Sequence, residues 1–206
     1  MNTRHPVLTI GHSTHSLETF IDLLRQHNIT VVADVRSSPY SRFNPQFNKD
    51  VIRKDLKRHG IKYVFLGLEL GGRSDDPTCY ENGRIQYARL AQTEIFKKGI
   101  ERVIQDSNDY RIALMCAEKE PLDCHRTLLV SSALVERGIV VKHILANGKL
   151  ESHQAAMERL LDVVGLPHED LFHSHDQLVK EALTLREEQM AYVNKKTPNG
   201  LTRENL

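Results

Sequence analysis

One apolar run of the chain stops at Cys116, and another begins after Arg126. Between them the chain reads Cys-Ala-Glu-Lys-Glu-Pro-Leu-Asp-Cys-His-Arg. Two thiols, a carboxylate at Glu118, an imidazole and a guanidinium are the residue types that make nucleophiles, proton carriers and anion ligands. A thiol attacks as its thiolate, and a neighbouring cation or a helix N-terminus raises the thiolate fraction. Cys124 adjoins His125 and Arg126 at the expected start of a helix. This predicts a nucleophilic or redox cysteine, Cys124 or Cys116, with His12, His125 or Glu118 moving protons. The opposing reading is that free cysteines pack as small hydrophobes. For Cys116, which ends an apolar run, the two readings stay open. Cys116, Cys124 and His125 could also hold zinc or another divalent metal, with His12 or Cys79 as fourth ligand. C-x7-C-H is not a familiar zinc spacing, however, and no C-x2-C pair supports it, so the reading carries no cofactor.

Further candidates follow other apolar runs. "DVRSSPYSR" (34–42) brings Asp34, Arg36, Ser41 and Arg42, and Pro39 holds Ser38 extended. Arg36, Arg42 and Arg126 together would cage a phosphate or carboxylate, unless each pairs locally with Asp34 or Glu118. The longest polar segment carries Glu69 and the pair Gly71-Gly72, which suggests a tight turn or close approach of backbone to ligand. No GxGxxG or GxxxxGK motif is present, so a dinucleotide or triphosphate is not indicated. Residues 49–62 carry Lys49, Arg53, Lys54, Lys57, Arg58 and Lys62, preceded by Tyr40, Phe43 and Phe47. That combination fits either a nucleic-acid surface with stacking side chains or a solvated helix face.

These segments need a scaffold, and the alternation of apolar runs supplies one. Strands are expected at 7–10, 29–35, 62–66, 111–116 and 140–145. Helices are expected after Ser16, at 50–59, at 86–106 with Gly99 as a possible break, and at 124–137. Strands alternating with helices predict an α/β, Rossmann-like fold with a mostly parallel five-stranded sheet flanked by helices. Ligands then bind outside the strand carboxyl ends, where the polar segments 11–14, 36–48, 67–84 and 116–126 should meet. The core is expected over 1–148, a helical appendage over 149–193 and a frayed terminus over 194–206. The appendage would pack on the core or make a homodimer. The chain has 206 residues and a net charge of +1, so nothing global points to nucleic acid or a membrane surface. Three cysteines suggest reduced thiols, and no long apolar run suggests a membrane span or secretory signal, so a cytoplasmic location is expected.

"TIGHS" (9–13), "DVRSSPYSR" (34–42), "LELGGR" (68–73), "CAEKEPLDCHR" (116–126) and the tail "GLPHEDLFHSHDQLVKEAL" resemble successive motifs of domain of unknown function family 488. The resemblance implies a small Rossmann-like α/β bacterial protein. It marks His12, Asp34, Arg36, Pro39, Ser41, Arg42, Gly71, Gly72, Cys116, Glu118, Cys124, His125 and Arg126 as family-motif positions, and it implies no activity. The strand–cysteine–turn–helix outline is similar to phosphatase and rhodanese loops, but the cysteine–arginine spacing differs, so their mechanism does not transfer. The leading expectation is an enzyme binding an anionic substrate, a nucleotide or nucleic-acid fragment, at the strand ends. The alternatives are a non-catalytic nucleic-acid binder and a metal or thiol redox sensor.

Overall fold

The structure, a computed structural model, describes residues 4–194. The chain runs through β1 (Val7–Gly11), α1 (Leu17–Gln26), β2 (Val31–Asp34), α2 (Lys49–Arg58), β3 (Lys62–Phe65) and the short α3 (Gly67–Leu70). A hairpin of β4 (Tyr80–Glu81) and β5 (Arg84–Ile85) leads to α4 (Tyr87–Leu90) and α5 (Glu94–Asp106). Then come β6 (Ile112–Cys116), a π-helical turn (Arg126–Ser131) continued by α6 (Ser132–Val135), β7 (Val141–Ile144), β8 (Leu150–Ser152), α7 (His153–Val164) and α8 (His175–Met190).

The α/β class and the mostly parallel sheet follow the sequence expectation. The sheet has six strands, not five, in the order β3-β2-β6-β1-β7-β8, and only β8 runs antiparallel to its neighbour. The sixth strand falls inside the expected appendage, because a hairpin through Gly148 (φ 81°) returns Leu150–Ser152 along β7. Side chains of β1, β2 and β6 are buried on both faces, as a parallel sheet between helices requires. α1 and α2 cover one face through Phe20, Leu24, Ile52 and Leu56 against Leu8, Ile10, Val32 and Met115. α5, the π-turn and α7 cover the other, against Val7, Ala33, Leu114 and Cys116. β6 therefore feeds the face opposite to that fed by both its neighbours, β1 and β2. Its carboxyl end is a topological switch point, where the diverging connections leave a crevice.

Local signals fix the helix ends. Ser16, Thr93 and Ser152 accept backbone N–H bonds at the starts of α1, α5 and α7, and Ser174 with Gln177 closes both halves of a capping box on α8. Gly99 does not break a helix. It lies inside α5, where an added Cβ would stand 2.7 Å from Glu69 Cβ and 2.8 Å from Leu70 Cδ2, so it allows α3 to pack closely. α7 and α8 pack on each other and on the Pro121–Asp123 turn, where Arg186 donates to the Leu122 carbonyl and pairs with Asp123. No helix among the described residues is long and apolar enough to cross a membrane. The expected frayed terminus, from residue 195 onward, lies outside the described residues.

Candidate active site

A cleft of about 310 Å³ opens over the carboxyl end of β6. Strand parity sets what faces it. Cys116 shares the α5 side with Ile112 and Leu114, whereas Asp34 falls on the α1–α2 side with Val32. After Cys116 the chain crosses the end of β1, where His12 N–H donates to the Cys116 carbonyl and Ser13 N–H to the Ala117 carbonyl. It can cross there because residue 11 is glycine: a Cβ on Gly11 would lie 1.8 Å from the Glu118 carbonyl oxygen. The short helical turn Pro121–Asp123 then folds the chain back, so Cys124 and His125 return beside Cys116.

The three side chains converge. His125 Nδ1 lies 3.8 Å from Cys116 Sγ and 3.9 Å from Cys124 Sγ. His125 Nε2 lies 3.0 Å from the Val35 carbonyl, which can only accept, so Nε2 carries a hydrogen and Nδ1 faces the two sulfurs. Gly72 backs the ring: a Cβ there would stand 3.0 Å from His125 Cγ. Cys124 Sγ and Glu118 Oε2 lie 2.9 Å apart, in hydrogen-bond contact, and Cys124 Sγ accepts from Arg126 N–H, at the start of the helical run, at 3.4 Å.

The electrostatics separate the two thiols. Burial works against ionisation of Cys124, but a hydrogen bond from Cys116 and the charges of Arg126 and His125 outweigh it and hold its pKa well below the usual thiol value. Cys116 moves the other way, through burial first and then through its neighbour's thiolate. Burial and the Cys124 thiolate push the Glu118 carboxyl up, although the residue as a whole is exposed at the rim. His125 is pushed up as well: burial opposes its charge, but the Cys124 thiolate outweighs burial.

Arg36 lines the same cleft. Its Nε and Nη2 donate to Asp34 at 2.9 and 2.6 Å, Nη2 also donates to the Phe47 carbonyl, and Nη1 donates to His12 Nε2 at 3.1 Å. Four of its five N–H donors are thus used, and the fifth, on Nη1, remains for a ligand. His12 does not line the cleft. Its Nδ1 donates to the Ser13 carbonyl, its ring stacks on Phe47 at 4.3 Å, and burial brings its pKa to about 4. It is a neutral acceptor that orients Arg36. Asp34, fully buried, takes Arg36 and the Tyr63 hydroxyl and likewise acts from beneath.

Arg126 is also placed differently from the sequence expectation. It is wholly buried, with Nη1 donating to the Glu118 carbonyl at 2.7 Å and Nη2 to the Lys119 carbonyl at 3.4 Å. It clamps the loop that carries Glu118 and does not line the cleft. Arg42 is exposed and outside the cleft lining; Ser41 is tied to Asn48 through its backbone N–H and to Phe43 through its hydroxyl; and Gly71 gives room to Ser37. The expected cage of Arg36, Arg42 and Arg126 is therefore not assembled. Cys79 is buried apart from the thiol pair, under the β4–β5 hairpin.

Sequence reasoning missed Arg73, Tyr87, Met190 and Tyr192, which also line the cleft. Arg73 lies 4.0 Å above the Tyr192 ring, and the segment after α8 is held by Ile85 N–H on the Tyr192 carbonyl and Asn194 N–H on the Gly83 carbonyl. Their contribution comes from contacts distant in the chain, and no local pattern marks it. The basic face of α2 leaves Arg53, Lys54, Lys57 and Arg58 exposed, and Phe43 stands 89% exposed nearby in sequence.

No curated protein and no solved structure matches the chain. The family described as domain of unknown function DUF488 matches residues 16–133, more than half of the chain. That span holds Arg36, Gly72, Arg73, Tyr87, Cys116, Glu118, Cys124, His125 and Arg126; His12 and the Met190–Tyr192 wall lie outside it. The chain thus belongs to the family of the domain of unknown function DUF488.

Proposed function

We propose that the protein is an enzyme acting on a small anionic substrate, of nucleotide or phosphate- or carboxylate-bearing type, bound in the cleft over β6. The observation that carries this reading is the meeting of Cys116, Glu118, Cys124 and His125 in a cleft that Arg36 and Arg73 also line. Arg36, held by Asp34 and His12, offers one N–H without reorganisation, and Arg73, exposed over the Tyr192 ring, adds a second charge. Glu118 is the proton carrier: it stands 2.9 Å from Cys124 Sγ, and burial and the Cys124 thiolate hold its carboxyl above the usual carboxylate range. Reduced thiols are required, which fits a cytoplasmic location in a bacterial cell.

A thermal-shift panel of phosphate, pyrophosphate, nucleosides, nucleotides and short oligonucleotides tests the substrate class, since a ligand of the native state raises Tm by mass action. The proposal expects a shift by one anion class that shrinks in Arg73→Ala. A panel in which no anion moves the wild-type protein would remove the reading. The exposed Phe43, shortly before α2 in sequence, and the exposed basic residues of that helix favour a second reading, a nucleic-acid surface away from the cleft. That reading expects oligonucleotide affinity that falls steeply with salt and is weakened by Phe43→Ala but not by Arg73→Ala.

A further inference from the structure

We propose that Cys116 Sγ, Cys124 Sγ and His125 Nδ1 bind one tetrahedral divalent cation, zinc first among them, with the fourth coordination position open to the cleft. The inference rests on the proposed function for the substrate, but not for the metal itself.

The geometry is that of a ligand set. The three donor atoms all lie within 4.8 Å of one another. A tetrahedral zinc with bonds of about 2.3 Å to sulfur and about 2.0–2.1 Å to nitrogen sets sulfur and nitrogen about 3.6 Å apart. The observed separations of 3.8 and 3.9 Å need to close by only a few tenths of an ångström. The imidazole is already oriented, because Nε2–H is held by the Val35 carbonyl and Nδ1 faces the sulfurs. A backbone carbonyl on the far ring nitrogen is the usual outer support of a metal-bound histidine. The Arg126 N–H on Cys124 Sγ supports a thiolate ligand in the same way. The unfamiliar C-x7-C-H spacing is no obstacle, since Cys116 arrives at the end of β6 and the Pro121–Asp123 turn brings Cys124 and His125 back to it.

Three protein ligands and an open position are the pattern of catalytic zinc sites. Glu118 Oε2, 2.9 Å from Cys124 Sγ, is closer than the roughly 3.6 Å edge expected between two ligands of one tetrahedral ion, so it serves as neighbour and not ligand. A water in the fourth position gives one proton to the Glu118 carboxylate and becomes metal-bound hydroxide. The hydroxide bonds to an electrophilic carbon or phosphorus of the anion held by Arg36 and Arg73. The bond to the leaving group breaks, and Glu118 returns the proton to that group. One water is consumed, and nothing is oxidised or reduced.

The test is metal content and cobalt spectroscopy on the full-length protein. Protein loaded with zinc under a phosphine reductant and then dialysed is expected to keep about one zinc per chain, a stoichiometry set by the one three-ligand cluster among the described residues. Cys79→Ser and His168→Ala should keep it too; Cys116→Ser, Cys124→Ser and His125→Ala should lose it. Cobalt(II) in its place should show thiolate-to-metal charge transfer and the intense d–d bands of a tetrahedral ion, and zinc should raise the wild-type Tm. A wild-type protein that retains no zinc and shows no Tm change overturns the site. So does retention unchanged in both Cys124→Ser and His125→Ala, which would move the metal elsewhere, such as the surface histidines His168, His173 and His175. The wild-type zinc measurement keeps the proposal decidable even where a variant fails to fold. The anion panel run with and without zinc separates the two proposals. Anion binding without metal would leave the cleft reading standing and sink the metal; metal with a flat panel would do the reverse.

Discussion

Replacing Arg126 by alanine distinguishes a loop clamp from a substrate ligand. The guanidinium is wholly buried and donates at 2.7 Å to the Glu118 carbonyl and at 3.4 Å to the Lys119 carbonyl. A hydrogen bond from a charged donor contributes about 1.5–3 kcal/mol, and each buried carbonyl left without a donor costs about 1–3 kcal/mol. Truncating a long buried side chain also opens a cavity; large-to-alanine changes of this kind cost about 2–5 kcal/mol in all. These contributions overlap, so a loss of about 3–5 kcal/mol is expected, a large part of the ~5–15 kcal/mol that stabilises a typical domain. With a urea m-value of about 2 kcal/mol/M, the midpoint should fall by roughly 1.5–2.5 M. Arg126→Lys keeps a cationic donor under the loop and should lose less than half as much. The assay is equilibrium urea unfolding by circular dichroism, with anion binding measured separately on the folded fraction. An Arg126→Ala protein that unfolds at the wild-type midpoint but no longer binds anions would refute the clamp and restore Arg126 as a ligand.

Acid should destabilise the protein through its buried histidines. Burial lowers His12 and His153 to about 4 and His143 to about 3, so between pH 6.5 and 4 the unfolded chain binds more protons and stability falls as pH falls. Each contributes a slope approaching ~1.4 kcal/mol per pH unit near pH 5, offset in part by Glu118 and Glu187, whose raised carboxyls act in the opposite sense; a urea midpoint that stays level from pH 6.5 to 4.5 would contradict this. In metal-free protein Cys124 should alkylate before Cys116, and already at neutral pH, while Cys79 stays unmodified; peptide mapping after brief iodoacetamide treatment checks the order, and Cys116 reacting first would reverse the thiolate assignment. Gly72→Ala puts a Cβ against the His125 ring, so zinc affinity should fall roughly 10–100-fold, the range for lost orientation of a metal-bound histidine. Competition with a chromophoric chelator reads this, and unchanged affinity would show that the ring is not held from that side.

The parts of the fold legible in the sequence are those where one residue pattern has one physical solution. "VLTI", "ITVVADV" and "RIALMC" are apolar on both faces because the strands are covered on both faces, and no other element satisfies such short runs. β8 has no such signature: Leu150–Ser152 lies at the sheet edge with Leu150 and Ser152 exposed, and its hairpin partner creates it. In the site, Cys116, Glu118, Cys124 and His125 could be picked out because strand ends in this class face the ligand crevice. Arg126 was misplaced for a geometric reason. Consecutive residues entering a helical run point about 100° apart. When His125 faces the sulfurs, Arg126 must turn beneath the loop. The Met190–Tyr192 wall was illegible because the contacts that bring it to the cleft are formed by residues 100 or more positions apart, as in Glu187 on Tyr87 N–H.

Charge balance explains why the remaining groups are arranged as they are. Asp34 and Arg36 neutralise each other on one side of the sheet. Arg126, on the other side, has carbonyl partners but no carboxylate, and its Nε has no partner. A buried cation of this kind requires a nearby anion, and the Cys124 thiolate is the group whose ionisation Arg126 favours. Ionising Cys116 as well would set a second negative charge beside the first, with the Glu118 carboxylate adjacent, and this keeps Cys116 protonated in the metal-free protein. A divalent cation removes that conflict: two thiolates, one neutral imidazole and the metal sum to zero, and Glu118 is left to balance Arg126. The same residues that make one thiol acidic and the other inert therefore make a pair ready to deprotonate fully when a metal arrives, at a place in the sheet where the connections of neighbouring strands diverge.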